Sequence, residues 1–206
     1  MSDALATAIS DLEEGQVLQL VQERLKAGTD PQAVLESCRD GMGMVGKRYE
    51  MGEYYVSELI MAGELFMQAS ALLKPHFAVG GGVTKGKVVV GTVKGDIHNI
   101  GKDLVVGMLQ ASGYDVIDLG VDVPAEKFVE AIKSSGAKVL GLSGLITTAF
   151  DGMKDTVAAL EAAGLRSQVK VMVGGGSLTG QVREYVGADA LGIDAQAAVV
   201  LANQWI

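Results

Sequence analysis

Apolar positions along this chain change their period near residue 80. Before it they recur every three or four residues. Leu18, Val21 and Leu25 form one stripe, Val34, Cys38, Met42 and Val45 a second, and Val56, Leu59, Ile60, Met67 and Leu72 a third. This spacing puts each set on one face of an α-helix. Asp30-Pro31 reads as an N-cap followed by a proline in the first helical turn, and Lys74-Pro75 closes the last segment. Four helices over about 75 residues predict a small bundle occupying residues 1–79.

Val79–Thr84 is a glycine-rich hinge, and beyond it short apolar runs alternate with amphipathic stretches. Strands are expected at Lys87–Val93, Tyr114–Leu119, Lys138–Ser143, Val169–Val173 and Ala188–Leu191. Helices are expected at Ile100–Ala111, from Pro124 to Ser134, near Met153–Ala163, after the fourth strand, and after a cap at Asp194. Apolar strands alternating with helices imply a parallel sheet covered on both faces. The second domain, residues 80–206, is therefore read as α/β, with a flavodoxin-like (Rossmann-like) five-stranded sheet in the order 2-1-3-4-5. Ligands of such sheets bind beyond the carboxyl ends of the strands where the winding reverses, here between strands one and three. The loops there are Lys94–Gly101 (KGDIHNIG) and the segment opening Ser143–Thr148 (SGLITT).

Composition narrows the choice of partner. Of 206 residues, 49% are apolar, which excludes a wholly disordered chain, and the formal charge of −8 argues against nucleic acid or an anionic membrane surface. One cysteine, Cys38, allows no internal disulfide, and with two histidines it cannot assemble a zinc ribbon. The start, MSDALATAISDLEE, lacks the pattern of a secretory signal, and no apolar run is read as a membrane span. A cytoplasmic setting follows as the expectation.

Three motifs invite chemistry. Gly41-x-Gly43-x-x-Gly46 matches the dinucleotide fingerprint, but it sits inside a helical pattern rather than directly after a strand. Close helix packing explains it better. Gly95–Lys102 resembles a P-loop, yet it has five residues between the glycines instead of four, and Asp103 where a Ser or Thr is needed. Asp96-x-His98-x-x-Gly101 is the informative one. A histidine on such a loop can offer one ring nitrogen to a metal while a carboxylate holds the other. The same spacing also suits Asp96 capping the next helix with His98 on the surface.

Ser143-x-Leu145 follows after 41 intervening residues, and Gly174-Gly175-Gly176 after 28 more. In this order the three elements resemble the cobalamin-binding signature of corrinoid proteins of methyltransferase systems and of cobalamin-dependent methionine synthase. Gly95–Val123, Gly141–Thr148 and, in the first half, Tyr49–Gln68 are similar to that family throughout. The resemblance implies cobalamin bound base-off, with His98 as the lower axial ligand to cobalt. Asp96 would accept its other ring N–H and Ser143 would extend the relay, letting proton movement track the redox and methylation state. Gly95, Ile97, Asn99 and Gly101 would line the cofactor with Gly174, Gly175 and Gly176, while Gly144, Leu145 and Thr147 face them from the other side. The Gly192–Ala195 loop, through Ala195, would touch the nucleotide tail. The helical half becomes a cap over the corrin, with Met51, Tyr54, Tyr55, Met61 and Phe66 as candidates to face it, or equally as ordinary bundle core; Met51 and Tyr55 are the preferred pair. His76 reads as a helix-end histidine and Cys38 as a packed core residue.

The implied function is that of a corrinoid carrier. It takes a methyl group from a small donor with a substrate-specific methyltransferase and yields it to tetrahydrofolate or a thiol on a second methyltransferase. A reductive activator is a further implied partner, and the chain by itself does not turn over substrate. The alternative is a cobalamin-dependent sensor without catalytic activity. Neither a basic recognition helix nor chain length for an output domain supports it. A mutase small subunit would generally lack the helical cap, and a flavin-binding protein would need a Ser/Thr-rich phosphate loop where His98 stands.

Overall fold

The computed structural model describes residues 3–76 and 84–206. The chain forms two compact units, an N-terminal one of helices and a second that begins at Thr84. Of the expected hinge, Val79–Val83 lie outside the described residues.

The first unit holds α1 (Ala4–Ser10), α2 (Glu14–Lys26), α3 (Pro31–Glu50) and α4 (Val56–Leu73). Asp30 Oδ1 accepts from Gln32 N at 3.1 Å with Pro31 opening α3, as the sequence predicts. Asp3 does more than cap α1. Its carboxylate accepts from Leu5 N at 2.8 Å, from both terminal nitrogens of Arg24 on α2, and from Ser37 Oγ of α3 at 2.9 Å. One buried-edge ion pair thus joins three helices.

Gly41, within the fingerprint-like motif, is a contact point. A Cβ there would meet Ala6 O and Ile9 Cβ at 2.8 Å, so the missing side chain lets α1 lie directly on α3. Val34, Cys38, Met42 and Val45 are all buried, and burial pushes the Cys38 thiol up to about 12.

The third stripe needs correction. On α4 the buried residues are Leu59, Ala62, Leu65, Phe66, Ala69 and Leu73, whereas Val56, Ile60 and Met67 are exposed. This helix is apolar on nearly every side, so periodicity alone cannot choose the inner face. By length and composition, with a mean hydropathy of 1.3, it is also long and apolar enough to cross a membrane, which the sequence reading overlooked. It carries Glu58 and Glu64 and packs against α2 and α3 as a bundle core helix.

The second unit alternates β1 (Lys87–Thr92), α5 (Ile100–Ala111), β2 (Asp115–Asp118), α6 (Ala125–Ser135), β3 (Val139–Ser143), α7 (Ala149–Ala162), β4 (Lys170–Gly174), α8 (Gly180–Val186), β5 (Ala190–Gly192) and α9 (Ala195–Trp205). All strand pairs are parallel, in the order β2-β1-β3-β4-β5. The central strands are Val- and Leu-rich and buried on both faces, as a helix-covered sheet requires. Val89, Leu140, Leu142, Val171 and Val173 pack with Phe128 of α6 and Met153, Val157 and Leu160 of α7. The register Thr92↔Ser143↔Gly174↔Gly192 aligns the ends of four strands, so the loops beyond them open on one edge. Helix α7 starts at Ala149, before the expected Met153, because Ala149 N and Phe150 N already donate to Ile146 O and Thr147 O.

Candidate functional site

The winding reverses between β1 and β3, and the loop after β1 carries the site. Beyond Thr92 the chain bridges once more to β2's side through Val93↔Val123 and then turns at Lys94-Gly95, with Gly95 at φ +84°. Asp96 folds back beneath the loop, its N–H donating to Val93 O at 3.1 Å. Its side chain is fully buried, while the His98 side chain is half exposed.

Four N–H groups converge on the Asp96 carboxylate. Oδ1 accepts from His98 N at 2.9 Å and lies 2.7 Å from His98 Nδ1; Oδ2 accepts from Leu145 N at 2.6 Å and Ile146 N at 3.2 Å. Burial alone would raise its pKa, but these hydrogen bonds outweigh it and hold the carboxyl at about 2. An ionised carboxylate only accepts, so Nδ1 carries a proton, and in the neutral ring Nε2 is the nitrogen with the lone pair. Nε2 has no hydrogen-bond partner among the described residues.

The relay does not reach Ser143. The second carboxylate oxygen of Asp96 accepts from the amides of Leu145 and Ile146, not from the Ser143 hydroxyl that the resemblance places next in the relay. Ser143 ends β3, in register with Thr92, and the chain turning past Gly144 aims the next N–H groups inward. Thr147 is exposed on the same loop, and Leu145 is 41% exposed.

Gly174, Gly175 and Gly176 do not stand clear of the β3 loop. A Cβ on Gly175 would lie 1.9 Å from Gly144 O, Gly144 N donates to Gly174 O at 3.1 Å, and Ser177 Oγ donates to Leu145 O. The glycines let two backbones close on each other. Around Gly95 and Gly101, by contrast, a Cβ would meet nothing within 4 Å. Ala195 is the buried first residue of α9, and Asp194 Oδ1 caps that helix by accepting from Ala197 N. Its neighbour Ile193 reaches solvent instead, 79% exposed.

Ile193 belongs to an apolar set of which the sequence motifs picked out only Ile97 and Leu145 as cofactor contacts. Ile97, Ile100, Val121, Leu145, Ile146 and Ile193 are all exposed on loops or helix starts at this one edge of the sheet. Apolar residues in loops where polar ones are usual were the available signal. Lys102 bears out the rejection of the P-loop reading. It is buried, donating to Asp103 Oδ1 at 2.6 Å and Asp118 Oδ2 at 2.5 Å, so it is not available to a phosphate. Asn99 Nδ2 braces the same group through Asp103.

In the helical unit, Met51 and Tyr55 are exposed, as are Met61 and the Val56–Ile60–Met67 face of α4. Phe66 is core. Tyr54 turns inward, donating to Ser10 O at 2.7 Å beneath the Arg48 guanidinium.

The donor set has a chemical meaning. Among the described residues no cluster of three or more His, Cys, Asp or Glu could hold a metal. A single oriented imidazole does not chelate a bare ion. It suits a metal whose equatorial positions are filled by a macrocycle, and the apolar edge around it suits the methyl groups on such a ring's periphery. Those residues fit a corrinoid.

Comparison with known proteins agrees. Residues 86–201 match the B12 binding domain model, and residues 1–74 match a second B12 binding domain model. The chain is 36% identical over 201 residues to dimethylamine corrinoid protein 3 of Methanosarcina acetivorans, covering 97% of this chain and 94% of that protein. A crystal structure of a cobalamin-binding protein from Desulfitobacterium hafniense superposes with a TM-score of 0.80 at 38% identity, covering 98% of this chain and 97% of that one. The methanol:cobalamin methyltransferase complex MtaBC from Methanosarcina barkeri gives a TM-score of 0.85 at 29% identity, over 97% of this chain and 77% of its counterpart. The chain belongs to the B12-binding family of corrinoid proteins.

Proposed function

We propose that this protein is the corrinoid carrier of a multi-component methyltransferase system, working in the cytoplasm. The observation that carries the reading is the His98 imidazole, whose Nδ1 is held by a buried, ionised Asp96 and whose Nε2 is left free beside an apolar edge. Bound there, cobalamin supplies the cobalt on which a methyl group is carried. His98 Nε2 would be its lower axial ligand, with the cofactor's own base displaced. Asp96 sets the tautomer and ring direction, and the Leu145 and Ile146 amides keep Asp96 charged, so the proton stays on Nδ1. Ile97, Ile100 and Ile193 would shed water from the ring's edge, while Gly95 and Gly101 leave room at the loop. Thr147 and the Gly174–Gly176 loop remain candidates to line the nucleotide tail once the β3 and β4 loops part. Met51 and Tyr55 are the proposed cofactor contacts of the helical unit.

The names of the similar proteins support the methyltransferase setting, since they include a dimethylamine corrinoid protein and a methanol:cobalamin methyltransferase complex. A substrate-specific methyltransferase would load the carrier. A second, acting on tetrahydrofolate or a thiol, would unload it, and a reductive activator would rescue oxidised protein.

The test is reconstitution with cobalamin and ¹⁵N-histidine labelling, followed by EPR of the cobalt(II) state. Axial hyperfine splitting that changes with the label and vanishes in His98→Ala and His98→Gln is expected. No splitting from protein nitrogen in the wild type would overturn the axial assignment, and failure to take up cobalamin would overturn the carrier reading.

A further inference from the structure

Asp122 lies in the loop after β2, inside the Gly95–Val123 stretch but with no role assigned to it from the sequence. It stands at φ +54°, one of two non-glycine residues in the left-handed region among those described. Asparagine, aspartate and glycine tolerate that region best, but an aspartate held there needs an explanation in its surroundings. The surroundings supply one. Asp122 Oδ1 accepts from Gly95 N at 2.8 Å, and Asp122 N donates to Asp96 O at 3.0 Å. One residue therefore grips both ends of the Gly95-Asp96 dipeptide, through its carboxylate and its own N–H. The neighbours extend the grip: Thr92 N donates to Gly120 O at 2.9 Å and Val123 N to Thr92 O at 3.0 Å.

We infer that Asp122 is a positioning residue for His98, acting through Asp96, with the Gly120–Val123 segment serving as a strap that fixes the loop after β1. The inference rests on His98 being the axial ligand. The side chain of Asp96 is fixed by the Leu145 and Ile146 amides, and its backbone by Val93 O on one side and Asp122 on the other. The imidazole direction is only as well defined as Asp96 itself. Loosening the backbone anchor leaves the carboxylate free to swing with its loop, and outer partners of this kind usually carry about 10- to 100-fold in metal affinity.

Three substitutions separate hydrogen bond from conformation. Asp122→Asn keeps an acceptor oxygen and tolerates the left-handed backbone. Asp122→Gly keeps the backbone and removes the acceptor. Asp122→Ala removes both. Each is made in the full chain, loaded with cobalamin, and read by ¹⁵N-histidine EPR of cobalt(II), by cobalamin titration, and by thermal melting. The expected result is wild-type behaviour for Asp122→Asn. Asp122→Gly should melt near the wild type yet bind cobalamin about tenfold more weakly, with part of its cobalt(II) signal lacking protein-nitrogen splitting. Asp122→Ala should lose more of both. A purely structural role would move melting and leave the splitting whole. Wild-type splitting and affinity in Asp122→Gly would overturn the inference while His98→Ala still abolishes the splitting. Splitting that survives His98→Ala would overturn the axial assignment, and the inference with it.

Discussion

The backbone of Gly175 touches that of Gly144 so closely that a Cβ on Gly175 would sit 1.9 Å from the Gly144 carbonyl oxygen, at a φ of +146° that side chains rarely adopt. Gly175→Ala must therefore push the β4 loop off the β3 loop and weaken the Gly144 N to Gly174 O hydrogen bond. Backbone strain and a lost hydrogen bond together predict a loss of about 2–4 kcal/mol in urea denaturation. Gly176→Ala, whose Cβ would meet only Leu145 Cδ1 at 3.5 Å, should cost under about 1 kcal/mol. Equal losses in the two variants would refute the close backbone contact.

Acid should find Asp96. Its pKa is lowered from 3.8 to about 2, so the ionised group stabilises the fold above about pH 4 and loses that contribution as pH falls toward 2. The size is roughly 2 kcal/mol. Asp96→Asn is expected to be less stable at neutral pH by roughly that amount and to show a shallower decline between pH 4 and 2. Denaturation curves at several pH values check it, and parallel declines in both proteins would contradict it.

Lys102 links the first turn of α5 to the end of β2. Burial would favour its neutral form, but the hydrogen bonds to Asp103 and Asp118 outweigh this and hold the ammonium above the ordinary lysine value. Removing one partner of a fully buried pair costs about 3–5 kcal/mol. Here the Asp103 and Asp118 side chains are 51% and 33% exposed, so water can take over part of their solvation. Lys102→Met should therefore lose about 2–3 kcal/mol, less if Asp118→Asn is added. A double-mutant cycle measures that coupling.

Within the fingerprint-like motif, two glycines should respond with opposite signs. Gly41→Ala drives a methyl group into Ala6 O and should cost about 1–3 kcal/mol by forcing α1 and α3 apart. Gly43 is exposed, with nothing within 4 Å of a Cβ. Gly43→Ala should gain up to about 1 kcal/mol from helix propensity alone. Thermal melts of the two variants suffice, and a destabilised Gly43→Ala would show that this position packs after all.

Much of the site was legible because its signals are local. The Asp96-x-His98 spacing lets the carboxylate reach both the N–H and the ring of the residue two positions on, without any other part of the chain. Asp194 caps α9 for the same local reason, accepting from Ala197 N. Ser143 shows the opposite case. Whether its hydroxyl or the amides beyond it meet Asp96 depends on how the chain leaves β3.

The sequence by itself determined the alternation of apolar runs and helices, hence the parallel sheet with its reversal between β1 and β3. It also put Asp96 and His98 together at that reversal, because periodicity and short spacings are properties of neighbouring residues, but left open whether Asp96 holds the ring or caps the next helix. Only the tertiary structure decided which side of α4 is core, since an all-round apolar helix carries no period to read. It alone brought Gly144 against Gly175, and a left-handed Asp122 against Gly95 and Asp96. Those contacts join residues 26 to 31 positions apart. Their geometry is set by strand register and loop path, which no local pattern encodes.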